Sequence, residues 1–233
     1  EASELGMILA FLKSGKLIEK QQAVRSLAKI KSSQEISKLV QKMLEGKLDP
    51  GIHLEVTEAA ISLLPDDEKV KLLIAKRSNI MDPKSFEDCL EGGDPEMGEN
   101  VFMKNISGQC VRCHKYEKRG PGSIIGPNLW KVGQRDPRYI LESIIAPQAT
   151  ITKNFGNISI DLKDGSNISG LFSGEGANGI KLYDSTSGSN RFINHGDISS
   201  RSQVVSIMPP MGALMERSEI RDLIAFLRTL DGQ

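Results

Sequence analysis

The chain is short of several things that usually direct a first reading. Its charges cancel, with 30 Lys and Arg against 30 Asp and Glu, so net charge gives no general argument for nucleic-acid or membrane-surface binding, and partners must be read from local patches. No apolar run approaches the roughly 18 residues that a membrane span requires. The sequence opens at Glu1 without the pattern of a signal peptide and is expected to be a mature or excised fragment. Aromatic residues make up 5% of the chain, with a single Trp, and Cys and His number three each. Apolar residues are plentiful by contrast: 39% hydrophobic content in 233 residues is enough for a packed core in one or two domains.

The scarce Cys and His are not scattered. Cys110-Val111-Arg112-Cys113-His114 has the C-x-x-C-H spacing of a c-type haem attachment site. Two thiols three positions apart can each add to one haem vinyl group, and the adjacent imidazole can become the proximal iron ligand. A haem would also supply flat apolar bulk that the few aromatics do not. Cys89 is then the odd cysteine, read as a small buried apolar residue.

Residues 1 to about 80 are helical in pattern. Leu17, Ala23, Val24, Leu27 and Ile30, then Ile36, Leu39, Val40 and Leu44, recur at helical spacing, and breaks at Gly15, Ser32-Ser33, Asp49-Pro50-Gly51 and Pro65-Asp66-Asp67 predict about five helices. The segments 23–30 and 55–61 resemble helices of a HEAT-type array, with a generic helical bundle as the alternative. His53 reads as a surface or helix-start residue. Residues 83 to 93, between Asp82-Pro83 and Gly92-Gly93, read as a connection into a second domain.

From Asp94 a helix is predicted, with Asp94 as its cap, Pro95 in its first turn, and Gly98, Val101 and Phe102 on one face. After His114 come a loop with Gly120-Pro121-Gly122 and Gly126-Pro127-Asn128-Leu129-Trp130, then a helix over 139–145 stopped by Pro147. Residues 155 to about 200 alternate as strands do, with turns at Lys163-Asp164-Gly165, Asn178-Gly179, Ser187-Gly188 and His195-Gly196, and predict four or five short antiparallel strands. The chain closes with Met208-Pro209-Pro210-Met211-Gly212 and a helix carrying Ile220, Leu223, Ile224, Leu227 and Leu230.

From Gly93 to Leu230 the order G-D-P-E-M-G-E-N-V-F, C-V-R-C-H, G-P-N-L, M-P-P-M-G and E-I-R-D-L-I-A-F-L resembles the class I cytochromes c. The run I-L-E-S-I-I-A-P-Q-A-T-I-T-K-N-F-G and the β insertion are similar to the haem-binding-domain subgroup. That subgroup lies at the C-terminal end of large bacterial periplasmic proteins with sugar-dehydrogenase-like and HEAT-like parts. The resemblance implies a mainly α chain with a small β insertion: a helical, HEAT-like segment over 1–83, then a cytochrome c fold over 84–233 with the insertion at about 155–200. It implies one covalent haem c on Cys110 and Cys113, with His114 on the iron and the Pro127 carbonyl accepting the proton of the other imidazole nitrogen. Gly98 and Phe102 would cross the last helix near Phe226, where Glu216 stands in place of the usual Ser or Thr cap. Covalent haem attachment in this group is made outside the cytoplasmic membrane, which implies a periplasmic protein.

The candidates for the sixth iron ligand are Met208, Met211 and His195. Met208 is favoured because Pro209 biases its backbone toward extended geometry and because its register to Glu219, Ile220 and Leu223 matches the family position. Trp130 is a candidate for the haem edge or a propionate, against core packing, and Arg135 for a propionate partner, against a solvated surface. With both axial positions filled, the chemistry left is one-electron transfer, and the chain reads as a non-enzymatic electron carrier served by a fused or partner dehydrogenase. A haem enzyme or gas sensor with an open distal site is the alternative, and a scaffold with a structural haem a third reading. Between Lys104 and Arg138, eight basic residues (Lys104, Arg112, Lys115, Lys118, Arg119, Lys131, Arg135 and Arg138) face two acidic ones, Glu117 and Asp136. This local excess is either a steering patch for an acidic redox partner or a solvated face.

Overall fold

The computed structural model describes residues 3–118, 125–184 and 186–232; Arg119 and the Gly120-Pro121-Gly122 turn lie outside them. Among the described residues the chain is about half helical, with one six-stranded antiparallel sheet. No described helix is long and apolar enough to cross a membrane.

Five helices come first: α1 Glu4–Ser14, α2 Leu17–Lys29, α3 Ser33–Leu44, α4 His53–Leu63 and α5 Glu68–Lys76. Their starts follow local chemistry. Ser3 accepts the Gly6 N–H ahead of α1, and Asp67 accepts those of Lys69 and Val70 ahead of α5. Their apolar stripes close on one core around Val24, Leu27, Ile36, Val40, Val56, Ala60 and Val70.

Residues 83–93 are not a free connection. Pro83–Cys89 is a 3-10 helix whose Ser85, Phe86 and Cys89 are buried, with the Arg217 guanidinium 4.1 Å from the centre of the Phe86 ring. Cys89 lies fully inside a second core, with Phe86, Ile220 and Ile224, where burial pushes its thiol far up.

Helix α6, Pro95–Lys104, leads to the one-turn α7, Cys110–Cys113; α8, Pro137–Ile145, follows. The start of α8 lies two residues before the expected Tyr139, because Asp136 accepts the Arg138 N–H and Pro137 fits the first helical position. The sheet contains β1 Gly156–Leu162, β2 Asn167–Gly176, β3 Gly179–Asp184, β4 Ser189–Asn194, β5 Ile198–Arg201 and β6 Val205–Ser206. Its order is β4-β3-β2-β1-β5, with β6 also on β1. Ile158, Ile160, Ile168, Ile180, Leu182 and Ile193 form its buried face. It has a strand more than expected and runs past residue 200, since a two-residue strand such as β6 has no period to read.

The last helix, α9 Arg217–Thr229, organises the second part. Its crossing with α6 needs a glycine: a Cβ on Gly98 would lie 1.9 Å from the Asp222 carbonyl oxygen. Phe102, Tyr116 and Phe226 fill the crossing, with ring centres 5.2 to 5.7 Å apart. On another face α9 meets the first helices through the buried carboxylate of Glu55. Glu55 of α4 takes Arg221 of α9 and Arg25 of α2, each at 2.8 Å, while Gln21 donates to the carbonyls of Gly51 and Gly92. The helical segment is thus locked onto α9 and does not hang from it by a linker.

Candidate functional site

The Cys110 turn begins where α6 ends. Asn105 caps that helix, and its side-chain oxygen accepts the Gly108 N–H at 2.6 Å. Gln109, at φ 46°, takes the left-handed conformation that turns the chain into α7. Cys110 and Cys113, three apart on this single turn, stand on one side of it. Both are reduced and half-buried, and desolvation pushes the Cys110 thiol up to about 11, so it is a neutral thiol at neutral pH.

His114 leaves the turn in extended geometry and points back toward a returning loop. Gly126 N–H donates to the Cys113 carbonyl at 2.7 Å, and Leu129 N–H to that of Lys115 at 2.7 Å. This pairing sets the Pro127 carbonyl 2.9 Å from His114 Nδ1, the contact that the resemblance assigns to Pro127. A carbonyl only accepts, so Nδ1 carries the proton and Nε2 keeps its lone pair. Burial, the larger influence, holds the imidazole below its ordinary value, and the Pro127 hydrogen bond offsets this in part. Gly126 is required here, since a Cβ would lie 2.8 Å from His114 Cε1.

The second component arrives from much further along the chain. Ser206 ends β6, and its backbone is gripped by Gln148, which donates Nε2 to the Ser206 carbonyl and accepts the Ser206 N–H, each at 2.9 Å. Two residues later Met208 donates its N–H to Ser206 Oγ at 3.2 Å, and its half-buried side chain packs on the core cluster that also carries Cys110 and Val111. Met211 goes inward, 4% exposed. Cys110 and Met208 thus pack on the same core cluster, while Pro127 is bound to His114 on the Cys110 turn. His195 stays with the sheet, its Nε2 3.0 Å from the Gly176 carbonyl and its N–H on that of Asn178.

Trp130 and Arg135 lie at the returning loop and just after it. Trp130 has Lys118 Nζ and Lys131 Nζ at 5.5 and 5.7 Å from its ring centre. Arg135 is exposed and lies over the Tyr139 ring.

Sequence reading gave no role to Gln148, Asn105 and Met215 and used Glu219 only as a register mark for Met208. Asn105 Nδ2 donates to Glu219 Oε1 at 2.8 Å, and a Cβ on Gly108 would be 3.3 Å from Met215 Sδ and 3.6 Å from Cys110 Sγ. An amide after a proline, or at a helix end, carries no sign of a partner 58 or 114 positions away; only the fold supplies it.

Cys110, Cys113 and His114 do not converge on a point. Among the described residues no three His, Cys, Asp or Glu side chains are grouped to hold a metal ion. Comparison with protein-family models and with curated proteins finds no match for the chain.

Proposed function

We propose that this protein is an electron carrier of the class I cytochrome c type, with a HEAT-like helical segment ahead of it. In this reading Cys110 and Cys113 would hold one haem c covalently, and His114 and Met208 would ligate its iron. The observation that carries the reading is the hydrogen bond from His114 Nδ1 to the Pro127 carbonyl, which fixes the tautomer and leaves Nε2 to ligate. A haem bound there supplies one-electron exchange between ferrous and ferric iron.

The chain's own residues tune and protect that exchange. The Pro127 carbonyl orients the imidazole and strengthens it as a donor. The Met208 thioether, a soft ligand, favours the reduced state and raises the potential. With both positions filled no substrate site remains on the iron, which makes the protein a carrier and not an enzyme. The reading places it in the periplasm, taking electrons from a dehydrogenase that is fused to it or docks on it. Lys104, Arg112, Lys115, Lys118, Lys131 and Arg135 have no salt bridge among the described residues, whereas Arg138 pairs with Glu87. Those six cations suit an acidic redox partner.

The test is production with a covalent haem-attachment system and comparison of wild type with Met208→Ala. The expected outcome is loss of the long-wavelength sulfur-to-iron band and a large fall in reduction potential. An unchanged spectrum removes Met208 as ligand, and failure of haem to attach to Cys110 and Cys113 removes the reading altogether.

A further inference from the structure

Two of the bonds described above share one residue. Asn105 has a single side-chain oxygen and a single nitrogen, and both are committed across different segments. The oxygen takes the Gly108 N–H, which shapes the loop entering Cys110, and the nitrogen donates to Glu219 Oε1. This orientation is fixed by the network, because only the oxygen can accept an N–H and only the nitrogen can meet a carboxylate. Glu219 is equally committed: its other oxygen accepts the Glu216 N–H at 3.0 Å, closing the first turn of α9.

The consequence falls on the Met208 arm. Its upstream end is held by Gln148 at Ser206. Downstream, Pro209 and Pro210 stiffen the backbone, Met211 and Met215 are buried, and the arm ends at the Glu216–Glu219 turn. That turn is tied by Asn105 to the loop that carries Cys110. The spacing between the Cys110–His114 turn and the Met208 arm is thus set in part by one amide.

We propose that Asn105 and Glu219 form a positioning pair that holds the Met208 arm at ligating distance from the Cys110–His114 turn. The proposal rests on the haem reading above, and neither residue touches the cofactor in it.

The pair has a built-in swap. Asn105→Asp sets two carboxylates against each other. In the double variant, Asn105→Asp with Glu219→Gln, the amide and the carboxylate change places. The introduced amide then donates to the introduced carboxylate, which still accepts the Gly108 N–H, while the amide oxygen still accepts the Glu216 N–H. The experiment titrates imidazole into the ferric holoprotein, where it competes with the thioether, and measures hydrogen exchange at the Glu216 amide in both holo- and apoprotein. N105D is expected to bind imidazole ~10-fold more tightly and to exchange Glu216 faster, as loss of one hydrogen bond plus like-charge repulsion implies, and the double variant to restore both. Glu219→Gln alone opposes two amide donors and is expected to shift both readouts the same way, so it decides the matter if N105D does not fold. Wild-type imidazole affinity in N105D and E219Q, with the sulfur-to-iron band present, overturns the pair while leaving Met208 as ligand. Absence of that band in the wild type overturns the ligand assignment and this proposal with it.

Discussion

The Cys110–His114 turn and the Met208 arm pack on the same core but are held by different means. The turn is closed by partners near it in sequence: Asn105, Gly126, Pro127 and Leu129, all through backbone groups or a single amide. The arm's local support is the Met208 N–H bond to Ser206 Oγ and a turn closed on the Met211 carbonyl. Otherwise the arm depends on a two-residue strand at the end of the sheet, on Gln148 58 positions earlier, and on burial of Met211 and Met215. A locally closed loop pays little chain entropy for its contacts, whereas an arm held by distant segments is ordered only once those segments have folded. The first is therefore expected to keep its geometry when the protein is perturbed, and the second to loosen early.

The largest expected effect comes from breaking the local turn at its tightest point. Gly126→Val drives branched carbon into His114 and the Cys113 carbonyl, and overpacking of this kind costs ~1–3 kcal/mol. Chemical unfolding should show the loss, and the Met208 arm should keep its amide protection. Next is Gln148→Ala, which removes both bonds to the Ser206 backbone at a cost of ~1–2 kcal/mol. Here the comparison inverts: hydrogen exchange should quicken at Ser206 and Met208 while Gly126 and Leu129 are unmoved. If both regions loosen together in either variant, the contrast between them is wrong.

The smallest effect is a pH dependence of the apoprotein. Because the folded His114 imidazole lies below its ordinary value of 6.5, the unfolded chain binds the extra proton first on acidification. Stability from this group is complete above the unfolded value and is lost as pH falls from there toward the lowered folded value. His114→Gln should flatten that part of the stability profile, and an unchanged slope would show that His114 is not desolvated.

The Cys110–His114 turn was legible from the sequence because its chemistry and its spacing lie in five consecutive residues. The α6 start was legible because Asp94 accepts N–H groups two and three residues away and Pro95 suits the first helical position. The helical part was read to its number of helices, but the burial of Phe86 and Cys89 within the 83–93 connection was not, since nothing in those residues announces that Arg217 and α9 will cover them. The same limit hid β6, Gln148 and the Asn105–Glu219 pair.

The sequence by itself determined the local events: caps, helical stripes, the hairpin turns and the donor set of the Cys110 turn, all of which follow from residues within one or two turns of each other. Only the tertiary structure decided where Met208 goes, that His195 stays with the sheet, and that the first helices lock onto α9 through Glu55 and Arg221. The physical reason is that these are contacts between segments tens of residues apart. Their energy depends on what else has been buried beside them, and no periodicity in the chain records it.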